Sequence, residues 1–217
     1  MLYLLVSHAV HDGHITLLNL LRYISFRAGC ACMTALGISL VLGRPLITML
    51  RRIQRYGQPI RAVGPERHIL EKAGTPTMGG MLILISLTVA TLLWGNLENG
   101  FVWAVLLTTL GFGVIGFADD YRKLARRNTD GLSKRARLGS EFAISLICGA
   151  WLQYLMPPEL ANHLAFPFAK ELLLPLGLLY PVFAMIVITG FGNAVNFTDG
   201  LDGLAIGPVV VASLVFA

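Results

Sequence analysis

The segment Asn193-Ala-Val-Asn196-Phe-Thr-Asp199-Gly200-Leu-Asp202-Gly203 places two carboxamides and two carboxylates at every third position, between long apolar runs. Carboxamides can bond a sugar or a base edge, and carboxylates can hold Mg²⁺ or take a proton. Gly200 and Gly203 disfavour one helix carrying all four residues, so the pattern predicts a helix end followed by a Gly-rich loop. A second acidic element is Asp119-Asp120. Neighbouring helical residues point about 100° apart, so the two carboxylates need not act as one unit. If both face one site, their repulsion raises one pKa unless a divalent cation relieves it. Otherwise they form a solvated helix end paired with Arg122 and Lys123. A third element, Gly74-Thr75-Pro-Thr77-Met-Gly-Gly80, offers hydroxyls and backbone N–H groups at a helix start, which suits a phosphate, although any capped helix start looks similar. Lys72 beside it adds a mobile cation suited to a diphosphate.

Other patterns carry less. Gly111-Phe-Gly113-Val-Ile-Gly116 lies inside an apolar stretch with no strand before it, so it reads as close helix packing rather than dinucleotide binding. His8, His11 and His14 fall near one helical stripe, which could bind metal, but the leucines around them favour an amphipathic segment lying on a membrane. Cys30, Cys32 and Cys148 make no disulfide or metal framework and read as small buried residues. The N-terminus lacks a basic stretch followed by an Ala-x-Ala site, so no cleaved signal is expected.

The elements that must position these residues are membrane spans. Of the 217 residues, 55% are hydrophobic and only 13% charged, with a mean hydropathy of +0.69. That composition excludes an ordinary soluble domain. Five complete spans are expected, at about 24–43, 73–97, 99–118, 142–158 and 172–198, with an unfinished sixth from 203 to 217. The first should stop at Arg44-Pro45, Arg27 should snorkel outward, 95–100 should be a tight turn, and 159–171 a short loop. The expected fold is an all-α polytopic membrane helix bundle, 1–217 forming a single integral-membrane domain. Of 17 Lys and Arg, seven lie in the loop 44–72 and seven in 119–141. By the positive-inside rule both loops are cytoplasmic, the N-terminus is outside, and all three polar elements share the cytoplasmic face. Because the basic residues fall in two loops rather than on one surface, no nucleic-acid partner is expected; membrane lipid is.

The three elements, together with Gly116-Phe-Ala-Asp-Asp-Tyr-Arg-Lys123, closely resemble the phospho-N-acetylmuramoyl-pentapeptide transferases, in order and spacing over the whole chain. These belong to the polyprenyl-phosphate/UDP-hexosamine phosphotransferase superfamily, of glycosyltransferase family 4 type. The resemblance implies a ten-span, Mg²⁺-dependent phosphotransferase of the bacterial inner membrane. It would move phospho-MurNAc-pentapeptide from UDP to undecaprenyl phosphate, giving lipid I and UMP for peptidoglycan synthesis, and hence for cell wall, shape and division. Asp119 and Asp120 would be the catalytic pair and would share the metal. Asp202 would support the catalytic loop. Lys72, Thr75 and Thr77 would lie beside the diphosphate, and Asn193, Asn196, Asp199 and Gly200 would contact nucleoside and sugar. A homodimer is left open. A sister transferase using another UDP-hexosamine is the nearest alternative. An ion-coupled transporter is more remote, since its polar cluster should sit at mid-membrane.

The resemblance also implies a third aspartate and a His-rich loop beyond Ala217, so the chain reads as C-terminally truncated. A phosphoryl transfer that depends on metal loses most of its rate without a principal ligand. The 217-residue chain, purified alone, is therefore expected to be inactive. A UMP-release assay with Mg²⁺ checks this, and turnover above the background rate would contradict it.

Overall fold

The computed structural model describes residues 20–54, 76–126, 131–166, 169–198 and 204–216. The helices are α1 (Ile24–Ile53), α2 (Gly80–Trp94), α3 (Gly100–Arg126), α4 (Lys134–Leu155), α5 (Tyr180–Thr198) and α6 (Ile206–Phe216). A two-stranded sheet, β1 (His163–Phe166) and β2 (Ala169–Pro175), lies between α4 and α5 in sequence. Three helical stretches, at 24–53, 100–126 and 177–198, are long and apolar enough to cross a membrane, and α2 and α6 are shorter apolar helices. Large side chains such as Leu40, Val105, Phe191 and Leu214 point away from any packing partner. On helices of this composition, such outward apolar faces meet lipid chains rather than water. The fold is an all-α polytopic membrane architecture carrying one small hairpin.

The chain divides into two compact units, residues 1–137 and 138–217. In the first, α1 and α2 run antiparallel and are joined by polar ties along their length. Arg27 Nη1 donates to the Trp94 carbonyl at 3.5 Å, Trp94 Nε1 to Thr34 Oγ1 at 2.9 Å, and Ser39 Oγ to Ser86 Oγ at 3.0 Å. Arg27 thus meets a helix-end carbonyl and satisfies an orphan acceptor of α2. The expected tight turn joins α2 to α3. Asn96 Oδ1 accepts the Glu98 N–H at 3.1 Å, and Asn99 Oδ1 caps the Phe101 N–H at 2.9 Å. At Gly95 a Cβ would stand 2.5 Å from the Thr91 carbonyl oxygen, so the residue must be glycine. Within the Gly111–Gly116 motif, Gly113 abuts Leu84 whereas Gly116 has open space, so the packing role falls on Gly113.

Most expected boundaries move. α1 continues through Arg44-Pro45 to Ile53. Proline removes one helical N–H, but apolar residues on both sides keep the helix in an environment where every other backbone group must stay paired. The part of the first basic loop up to Ile53 is therefore helical, and residues 55–75 lie outside the described ones. α2 covers only 15 residues of the expected 73–97 span. α3 passes Ala118 and carries Asp119 and Asp120 within its last two turns. Pairs spaced i,i+3 and i,i+4 with Lys123 support that extension, and basic residues in the last turn suit the helix dipole. The loop 119–141 is thus helical at both ends. Ser133 Oγ caps α4 by accepting the Ala136 N–H at 3.2 Å. The supposed loop 159–171 forms most of the hairpin, and the fifth helix starts at Tyr180 rather than near Leu172.

In the second unit α4 and α5 meet along a stripe of small and polar residues. A Cβ on Gly149 would lie 2.9 Å from Ala184 Cβ and 3.0 Å from the Pro181 carbonyl. Small residues allow that approach, as in many membrane helix pairs. Gly149→Val should therefore separate the helices and destabilise the unit by about 1–3 kcal/mol. Thermal unfolding in detergent, compared with Gly139→Ala in open space, checks this.

Candidate functional site

Gln54, the residue that ends α1, is 8% exposed. Its Oε1 accepts the Thr77 N–H at 2.8 Å, and its Nε2 donates to the Thr77 carbonyl at 3.2 Å. One carboxamide thus satisfies both backbone groups of a single residue, as a neighbouring strand would. The next residue, Met78, holds left-handed backbone at φ 70°. That conformation is costly for a side-chain-bearing residue and persists only where surrounding bonds impose it. With its backbone clamped, Thr77 aims its hydroxyl at α3 and donates to Asp120 Oδ2 at 2.7 Å.

From Asp120 the network continues through one ammonium. Lys123 Nζ lies 3.3 Å from Asp120 Oδ1 and 2.6 Å from Asp119 Oδ2. Although adjacent helical residues diverge, a lysine three and four positions later reaches both. Asp119 Oδ1 accepts the Leu132 N–H at 2.7 Å, so the carboxylate also ties down the segment that leads into α4. Gly131 is required there, because a Cβ would overlap that carboxylate. Asp119 follows directly on the uncharged run of α3 that ends at Ala118.

Thr77, Asp119 and Asp120, expected from sequence to share a site, are thus in one hydrogen-bonded chain. Asn193 and Asn196 lie on α5 in the other unit. Asn193 is half-buried, and Asn196 is exposed. Lys72, Thr75, Asp199, Gly200 and Asp202, like the three N-terminal histidines, lie outside the described residues. Two participants were not anticipated. Gln54 carried no signal, being one polar residue at the end of a basic helix turn. Glu141 was read as the edge of a basic loop, yet it is 3% exposed and accepts the Asn193 amide at 2.5 Å. Its i,i+4 spacing to Ser145 and i,i+8 spacing to Gly149 is the stripe that could have disclosed it.

Whether these residues could hold a metal depends on their donors. Among the described residues no group of three His, Cys, Asp or Glu side chains converges. Two carboxylates still suit Mg²⁺, which keeps several waters and takes further oxygens from a bound phosphate. The donor chemistry therefore fits, with Lys123 supplying the positive charge between them in this arrangement.

Apolar helices with a carboxylate pair and a clamped threonine just beyond the apolar stretch define a membrane protein. The chain belongs to glycosyl transferase family 4, whose model matches residues 102–217. Residues 72–84 match phospho-N-acetylmuramoyl-pentapeptide-transferase signature 1. Over 216 residues it is 72% identical to the phospho-N-acetylmuramoyl-pentapeptide-transferase of Gluconacetobacter diazotrophicus, covering 100% of this chain and 59% of that protein. The protein of the same name from Gluconobacter oxydans is 71% identical over 210 residues, 96% of this chain and 58% of its own. That from Maricaulis maris is 52% identical over 221 residues, 100% of this chain and 60% of its own. The chain therefore spans about three-fifths of the length of these curated relatives.

Replacing Gln54 by Leu would leave two backbone groups of Thr77 unpaired, at a cost of about 1–3 kcal/mol. Gln54→Leu should accelerate hydrogen exchange at the Thr77 amide far more than at amides within α2. Equal exchange in both variants would show that the clamp does not hold Thr77.

Proposed function

We propose that the protein is a Mg²⁺-dependent phosphotransferase of the bacterial inner membrane. It moves phospho-MurNAc-pentapeptide from its UDP carrier to undecaprenyl phosphate, yielding lipid I and UMP. The observation that carries this reading is the bond from Thr77 to Asp120. It joins the segment matching the transferase signature to the carboxylate pair of the family region. Relatives at up to 72% identity bear that transferase name.

In this reading both substrates bring phosphate to the end of α3. Thr77 offers a hydroxyl donor, and Lys72 and Lys123 offer cations, to a diphosphate. Asp119 and Asp120 serve the acceptor phosphate, as base or as ligands of the metal. Bound Mg²⁺ would neutralise charge on the transferred phosphoryl group. Asp119 and Asp120 would hold the metal, and Lys123, three and four residues later, keeps an ammonium beside them for the incoming phosphates. Asn193, Asn196, Asp199 and Gly200 contact the nucleoside and sugar, and Asp202 supports their loop. The basic segments about 44–72 and 119–141 face the cytoplasm, with the N-terminus outside.

The test is UMP release by the intact protein given UDP-MurNAc-pentapeptide, undecaprenyl phosphate and Mg²⁺. Asp119→Asn should lower kcat by about 100-fold or more with little change in unfolding temperature, and chelation should abolish turnover. Turnover of UDP-GlcNAc in place of the muramoyl donor would assign the protein to a sister transferase.

A further inference from the structure

Glu141 and Asn193 form the end of a buried polar ladder. Ser145, one turn after Glu141, is fully buried and accepts the Thr189 hydroxyl at 3.0 Å. Asn193, one turn after Thr189, donates Nδ2–H groups to Glu141 Oε2 at 2.5 Å and to the Thr189 carbonyl at 3.0 Å. Both neighbours of that nitrogen are acceptors, so the amide can face them in one orientation only. Its two N–H donors are consumed, and Oδ1 is left to accept.

A carboxylate that is 3% exposed on a membrane helix is expensive to bury, and an amide bond to it is charge-assisted. A cheaper residue would suffice to join two helices, as Ser145 and Thr189 do one turn away. We infer that Glu141 is a positioning residue that locks Asn193 as a pure hydrogen-bond acceptor, so that Asn193 reads an N–H or O–H donor on the sugar-nucleotide substrate. The inference rests on the proposed function for the identity of that substrate. Base, ribose and acetamido groups of a UDP-N-acetylhexosamine all carry such donors. The lipid phosphate offers at most one O–H, and only on its monoanion. Glu141 should therefore govern the affinity for the nucleotide substrate and leave the lipid acceptor alone.

The experiment is steady-state kinetics on the intact protein with UDP-MurNAc-pentapeptide and undecaprenyl phosphate as the varied substrates. Glu141→Leu frees the Asn193 amide to turn. It should raise the donor KM about tenfold while the acceptor KM stays within about twofold. Asn193→Ala should give a similar rise, and the double variant no more than either alone. Glu141→Gln keeps an oxygen for the Asn193 amide and should restore most of the affinity. A purely structural role would lower the active fraction, and hence kcat, without moving one KM selectively. Additive losses in the double variant, or equal shifts in both KM values, would overturn the inference. Lack of wild-type turnover with this donor would instead count against the proposed function.

Discussion

Polar groups that leave water for hydrocarbon must find partners in the protein, and that constraint organises both units of this chain. In the first unit Arg27, Thr34, Ser39, Ser86 and Gln54 each contribute a polar atom to joining α1 to α2 or to the segment before it. In the second, Ser145 and Thr189 do the same for α4 and α5. Gly149 lets α4 and α5 come close enough for such a bond to form, and Gly113 leaves room for Leu84 between α3 and α2.

The same constraint shapes the carboxylate pair. Two adjacent ionised carboxylates without compensation would repel each other, and Lys123 lies within ion-pair distance of both. With Lys123 and Asp120 each about a third exposed, solvent screens these charges, so the cluster fixes geometry more than it adds stability. Asp119, Asp120, Lys123 and Thr77 are therefore best regarded as one unit, in which Leu132 and Gln54 anchor the two ends to backbone. Met78 and Gly131 are the two places where the backbone yields to that geometry, one by a left-handed conformation and one by lacking a side chain.

Much of this was legible in the residues. Uncharged stretches disclosed helices at every expected place, because about 20 apolar residues can satisfy their backbone in lipid only as a helix. Boundaries were poorly legible. Pro45 was read as a stop, yet α1 continues past it, and charged residues at 119–126 and 134–141 were read as loop although they extend α3 and α4. Charge marks where the apolar layer ends rather than where a helix ends. The hairpin His163–Pro175 was missed because its strands are short and its apolar residues merge with the helix that follows.

By itself the sequence determined the class of protein, the apolar elements and the polar motifs, since composition and residue type depend on nothing beyond the chain. Only the tertiary structure decided the partners. That Thr77 meets Asp120 across 43 positions, and that Glu141 meets Asn193 across 52, follows from how helices stack. Such contacts leave no periodic trace along the chain. Gln54 and Glu141 fall in stretches that read as basic loops, and packing buries them against the Thr77 backbone and the Asn193 amide.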